Sequence, residues 1–222
     1  MNGDIINLLS GFLTDNRRRL FHQVLEKRTR YLTVVLEDIF QSHNASAVLR
    51  TCDCFGIQDV HIIENINQFE VNPKVVRGAS KWLSLHHYNQ EENNTVSTLS
   101  KLKSQGYRII ATTPHDGDVE LENFDLKKGK IALVFGTEMK GISAEVTNNA
   151  DGFLKIPMYG FTESFNISVS AAIILHHLTY RLNQLGLNYQ LSEKEKEDIL
   201  MEWLKSSIKD SELMIKTFLR QK

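Results

Sequence analysis

Little in the 222-residue sequence marks a secreted, membrane-embedded or disulfide-stapled protein. Its two cysteines, Cys52 and Cys54, lie too close together to close a useful loop, and two thiols alone make no zinc site. They read as small buried side chains of a reduced protein. No apolar run approaches the ~20 residues of a membrane-spanning helix. The start, Met1-Asn2-Gly3-Asp4, lacks the basic stretch and apolar core of a secretion signal. These absences predict a cytoplasmic protein with no membrane partner. Net charge is missing too: 26 Lys and Arg against 27 Asp and Glu leave −1 at pH 7, so no global field announces nucleic acid. The eight histidines show no metal-ligand spacing, so no metal is expected.

Common catalytic motifs are absent as well. Gly136-Thr137-Glu138-Met139-Lys140-Gly141 has the glycine spacing of a phosphate loop, but Ile142-Ser143 stands where such a loop needs Lys and Ser or Thr. That disfavours a nucleoside triphosphatase. No Gly-x-Gly-x-x-Gly follows a strand, and Ser164 is not in a Gly-x-Ser-x-Gly turn, which leaves a dinucleotide site and a hydrolase triad without an anchor. There is no internal repeat and no low-complexity segment.

What is present is an alternation of strands and helices. Strands are predicted at 33–36, 59–64, 83–88, 107–112, 131–135 and 153–156, with helices between them and a long helix from Asn166 to about Leu185. Such alternation predicts an α/β domain with a parallel sheet covered by helices on both faces. Helical segments flank it: two at 4–13 and 16–29, and one after Ser192, where Ser192 and Glu195 make a capping box. Charge is uneven. Residues 1–30 hold six basic side chains (Arg17, Arg18, Arg19, Lys27, Arg28, Arg30) against three acidic ones, and Lys74, Arg77 and Lys81 form a further group. Such clusters suit phosphates, although solvated helix faces look the same.

Three polar groups each follow a strand: Asn44 with Arg50, Glu138 in its glycine loop, and Ser164 with Asn166. A polar loop between a strand end and a helix start is where α/β proteins usually bind ligands. The six-residue spacing of Asn44 and Arg50 suggests one side of a helix after nearly two turns. Either Ser164 or Asn166 can cap the long helix.

Together the groups resemble the SPOUT class of RNA methyltransferases, and specifically the TrmH family of tRNA 2′-O-methyltransferases. The resemblance lies in Asn44-Ala-Ser-Ala-Val-Leu-Arg50, in Leu133-Val-Phe-Gly-Thr-Glu138-Met-Lys-Gly141, and in Ile156-Pro-Met-Tyr-Gly160 through Ser164-Phe-Asn166 to Ala172. It covers nearly the whole chain. It implies a SPOUT-like domain over 31–187 with a C-terminal deep trefoil knot, between a tRNA-binding helical extension at 1–30 and another at 188–222. It implies S-adenosyl-L-methionine as cofactor, held in loops carrying Thr112, Gly136, Ile156, Met158 and Phe165. Asn44, Arg50, Glu138, Ser164 and Asn166 are the implied catalytic set, and Arg17, Arg18, Arg19, Arg28, Arg30 and Lys81 the expected grip on RNA. The resemblance further implies a homodimer formed through the knot region, and D-loop guanosine 18 of tRNA as target. A ribosomal RNA ribose, or RNA binding without catalysis, stays open.

Overall fold

A computed structural model of the chain describes residues 2–113, 119–137 and 141–220. In chain order the elements are α1 (Asn2–Ser10), α2 (Asp15–Leu25), β1 (Leu32–Glu37), α3 (Ser42–Cys54), β2 (Asp59–Ile63), α4 (Pro73–Val76), β3 (Ser84–Tyr88) and α5 (Thr95–Ser104). There follow β4 (Arg108–Thr112), β5 (Val119–Glu120), β6 (Ile131–Phe135), α6 (Ala144–Asn149), β7 (Gly152–Lys155), α7 (Ile167–Gln184), α8 (Glu193–Ser207) and α9 (Ser211–Arg220). Contacts divide the chain into two units, residues 29–189 and the paired terminal segments 1–28 and 190–222.

The larger unit is built on a sheet of order β3-β2-β1-β6-β4-β7-β5, in which each pairing is parallel. β1 (LTVVLE) and β6 (IALVF) are buried at every position, because a central parallel strand is covered on both faces. Alternate residues of β1 feed opposite sides of the sheet. Val34 and Leu36 pack with Val48 and Leu49 of α3 and Ile174 and Leu178 of α7. Val35 joins Leu99 and Leu102 of α5, Ile109, Val134 and Val146 of α6 on the other side. The two-residue edge strand β5 has no sequence pattern of its own; its pairing depends on β7.

Two details differ from the sequence-based expectation. α3 begins at Ser42, and six residues at about 100° each carry a side chain roughly 240° round the axis. Asn44 is accordingly buried while Arg50 is exposed, so they occupy different faces. By the same rotation Cys52 is buried and Cys54 exposed. No described helix is long and apolar enough to cross a membrane.

At one sheet edge β2 and β3 carry a polar cluster. The His61 and His86 rings stack at 4.7 Å, and His61 Nδ1 lies 3.0 Å from Tyr88 Oη. Asp59 takes Arg30 Nε at 2.9 Å and has His86 Nε2 at 3.6 Å, while Lys101 Nζ sits 5.2 Å over the Tyr88 ring. Burial above all, then the charges of His86 and Lys101, push the His61 pKa down to about 4 against the opposing pull of Asp59. The unfolded chain therefore binds more protons between pH 6.5 and about 4, and stability falls as pH drops through that window. His61 alone should make unfolding at pH 5 roughly 2 kcal/mol easier than at pH 7. Urea titrations at both pH values check this, and a His61→Gln variant should lose most of the difference. Asp59, whose carboxyl is held below its usual value, acts only at lower pH.

The terminal unit is helical. Ser192 caps α8 through a full capping box, its Oγ accepting from Glu195 N–H while the Glu195 carboxylate accepts from Ser192 N–H at 2.8 Å. Its buried apolar side chains include Leu9, Phe21, Leu25, Ile199, Trp203 and Leu204. Phe21 meets Trp203 edge to face at 5.5 Å, and the Arg28 guanidinium lies 5.3 Å over the same indole. Arg28 is only 1% exposed. It is a packing residue, not a surface grip for RNA as its position in a basic run suggested.

Candidate active site

Strands β6, β4 and β7 lie side by side, and the segments leaving their C-terminal ends surround a cleft of about 490 Å³. This is the end of a parallel sheet where ligands bind, and the volume suits a small molecule of cofactor size. Thr112 and Thr113 line it at the end of β4, Phe135, Thr137 and Gly141 around the end of β6, and Leu154, Ile156 and Met158 around the end of β7. The starts of α3 and α7 close it with Gln41, Asn44, Ser164, Phe165 and Asn166.

Each wall has a local cause. Thr112 Oγ1 donates to Val134 O at 3.0 Å, tying the end of β4 to its neighbour. After β6 the backbone of Thr137 and Gly141 exchanges two hydrogen bonds of 2.9 Å, which hold these two residues together. A Cβ on Gly136 would stand 2.1 Å from Gly141 O, so only glycine allows the closure. Glu138 lies outside the described residues. Asn166 caps α7: its Oδ1 accepts from Ser168 N–H at 2.9 Å and Ser168 Oγ at 2.6 Å.

The cap leaves the Asn166 amide nitrogen free to face α3. Asn166 Nδ2 donates to Asn44 Oδ1 at 3.1 Å, and Asn44 Nδ2 donates to Gln41 Oε1 at 3.1 Å. A directional chain of three amides thus crosses the cleft floor between residues 122 apart in sequence. The described lining offers amides, hydroxyls and apolar side chains, with no carboxylate, imidazole or thiol. Such a surface can bind and orient reactants.

Of the residues expected from sequence, Asn44, Thr112, Ile156, Met158, Ser164, Phe165 and Asn166 line the cleft, and Gly136 lies at the root of its loop. Arg50, exposed on α3, does not line it. Gln41, Thr113, Thr137 and Phe135 were not singled out. Phe135 and Thr137 lie within the Leu133–Gly141 stretch that carries the resemblance, Thr113 follows an expected strand end, and Gln41 belongs to the polar segment before a helix. Of the basic residues, Arg18, Arg19 and Lys81 are exposed, with Arg18 paired to Asp15. Arg17 lies 5.1 Å over the Phe21 ring, and Arg30 pairs with Asp59. Among the described residues no group of three or more His, Cys, Asp or Glu converges as a metal site.

A parallel sheet with a three-loop cleft of this lining defines a small-molecule-binding α/β protein. Residues 31–176 match the model of the SpoU rRNA Methylase family, and the chain belongs to that family. It is 44% identical over 205 residues, 92% of each chain, to the tRNA (guanosine(18)-2′-O)-methyltransferase of Borreliella burgdorferi. The crystal structure of the Aquifex aeolicus TrmH/SpoU tRNA modifying enzyme superposes with a TM-score of 0.78 at 30% identity, covering 87% of this chain and 98% of that one. In fold alone it is also similar to the SpoU methyltransferase AviRb of Streptomyces viridochromogenes in complex with AdoMet (TM-score 0.60, 21% identity, 72% of this chain and 61% of that one).

Proposed function

We propose that this chain transfers a methyl group from S-adenosyl-L-methionine to the ribose 2′-hydroxyl of guanosine 18 in tRNA, in the cytoplasm. The observation that carries the reading is the Borreliella relative of that name, matched over 92% of both chains. The cleft supports it. Apolar Phe135, Leu154, Ile156, Met158 and Phe165 suit the faces of an adenine, and Gly141 lines the cleft with no side chain of its own.

When bound, S-adenosylmethionine supplies an electrophilic methyl group. The protein's task is to place the hydroxyl in line with it and to stabilise the alkoxide charge that develops. Asn44 and Asn166, fixed by their mutual hydrogen bond, orient the ribose side of the cleft. Ser164 lines the cleft beside them and belongs to the same set by resemblance. Arg50 binds the adjacent phosphate and stabilises the alkoxide electrostatically; a guanidinium with a pKa above 12 is a poor base. Glu138 belongs to the same set by resemblance.

A homodimer formed through the knot region completes the reading. Tyr159 is 97% exposed and Phe161 fully so, with Phe165 and Val169 also open at the start of α7. A second copy covering these side chains would remove apolar surface from water.

The terminal unit would grip tRNA through exposed Arg18, Arg19, Lys216 and Arg220, with Arg17 beside them; Lys81 would add a contact from the larger unit. Arg19→Ala should weaken tRNA binding and lower the salt slope, log K against log salt, by about one. Arg28→Ala should instead leave the slope unchanged and cost about 2 kcal/mol of stability, since it removes a buried contact on Trp203. Filter binding across salt and thermal melts check both.

The deciding experiment is methyl transfer from labelled S-adenosylmethionine to unmodified tRNA, followed by mapping of the methylated nucleotide. Expected is 2′-O-methylguanosine in the D-loop. Label only in ribosomal RNA, the substrate in the family's name, would overturn the tRNA assignment; cofactor binding with no transfer to either RNA would overturn catalysis.

A further inference from the structure

Glu37 ends β1, is 3% exposed, and belongs to none of the residues assigned above. Its carboxylate gathers donors from two distant segments. Oε1 accepts from Ser143 Oγ at 2.8 Å and from Thr95 Oγ1 at 2.7 Å, and Oε2 accepts from Ser143 N–H at 3.2 Å. The donor directions are set by neighbours. Ser143 Oγ accepts from Val146 N–H at 3.1 Å, and Thr95 Oγ1 accepts from Asn65 Nδ2 at 2.9 Å, so both hydroxyl protons are left for Glu37.

Ser143 lies two residues beyond Gly141, which bonds to Thr137 and lines the cleft. Thr137 is thus fixed by β6 on the entering side, and Gly141 by its bonds to Thr137 and by Glu37 holding Ser143 as the chain leaves. A carboxylate suits that pin because it only accepts, and three donors converge on it.

We propose that Glu37 is a positioning residue for the cofactor loop, setting the affinity for S-adenosylmethionine through Ser143 without touching the ligand. This rests on the reading that the cleft binds that cofactor. Glu37→Gln is the sharp probe: nearly isosteric, it turns an acceptor into a donor facing donors. Ser143→Ala removes one bond from the loop side. Thr95→Ala removes the bond on the side away from the cleft and serves as the structural control.

Calorimetric titration with S-adenosylhomocysteine should show binding at least tenfold weaker for Glu37→Gln and severalfold weaker for Ser143→Ala. Thr95→Ala should bind within twofold of wild type although its melting temperature also falls. In turnover assays the loss should appear in the KM for S-adenosylmethionine and not in the KM for tRNA. The inference is overturned if Ser143→Ala binds within twofold of wild type, or if Thr95→Ala weakens binding as much as Ser143→Ala. Should Glu37→Gln not fold, those two variants still decide. A wild-type protein that binds no S-adenosylhomocysteine overturns the cofactor reading itself, and this inference with it.

Discussion

Arg50→Ala should bind S-adenosylmethionine as the wild type does, yet methylate tRNA at least a hundredfold more slowly. The first half follows from position: Arg50 is exposed on α3 and does not line the cleft. The second half follows from the reaction. A ribose hydroxyl is a weak nucleophile, and its alkoxide forms beside a phosphate that already carries negative charge. A fixed cation at that point stabilises the transition state more than the ground state, and losing one such donor typically costs about 10²–10³ in rate. Arg50→Lys should recover only part of the loss, because an ammonium keeps the charge without the planar fork that holds a phosphate bidentately. Single-turnover assays at saturating cofactor measure this, and near-normal turnover by Arg50→Ala would remove it from the mechanism. Mixing Arg50→Ala with Asn166→Ala subunits tests where the guanidinium works. Activity regained in the mixture means that Arg50 of one chain serves the cleft of another; silence places it with its own.

Gly136→Ala should abolish measurable cofactor binding, a loss of a hundredfold or more, while the protein remains folded. The added Cβ would meet Gly141 O at 2.1 Å, Gly141 C at 2.4 Å and Ile142 N at 2.6 Å. All three are backbone atoms, so no rotamer change relieves the overlap. The loop itself must open, breaking the paired Thr137 and Gly141 hydrogen bonds. Forcing extra volume into a closed contact costs about 1–3 kcal/mol, which a domain of this size can absorb. The cleft wall cannot, because its shape is that loop. Circular dichroism and titration with S-adenosylhomocysteine on the same sample separate the two effects. Binding within tenfold of wild type would show that the loop is not part of the cofactor site.

Much of this arrangement was readable from the chain alone. The all-apolar run Ile131–Phe135 announced a central parallel strand, and Ser192 with Glu195 announced a capped helix. Asn166 was one of two candidate caps for α7, and it is the one used. These are local signals, carried by side-chain period and by hydrogen bonds reaching two or three residues. Thr112, Gly136 and Ile156 were singled out by the family resemblance, and each stands at or just past a strand end, where a parallel sheet presents its ligand.

What sequence left open depends on partners far along the chain. That Asn44 meets Asn166 is decided by the packing of α3 against α7, across 122 residues. Glu37, one residue past the strand expected at 33–36, carried no signal of its own; α5 and Ser143, the latter 106 residues away, close over it in the fold. Arg28 read as one more basic surface residue, yet Trp203 from the other end of the chain covers it. The sequence by itself therefore determined the strands, the helix caps and the loops that could hold a ligand, since each is settled within a turn or two of backbone. Only the tertiary structure decided which side chains those loops bring together, because burial and hydrogen-bond partnership are set by segments that meet in space and not in sequence.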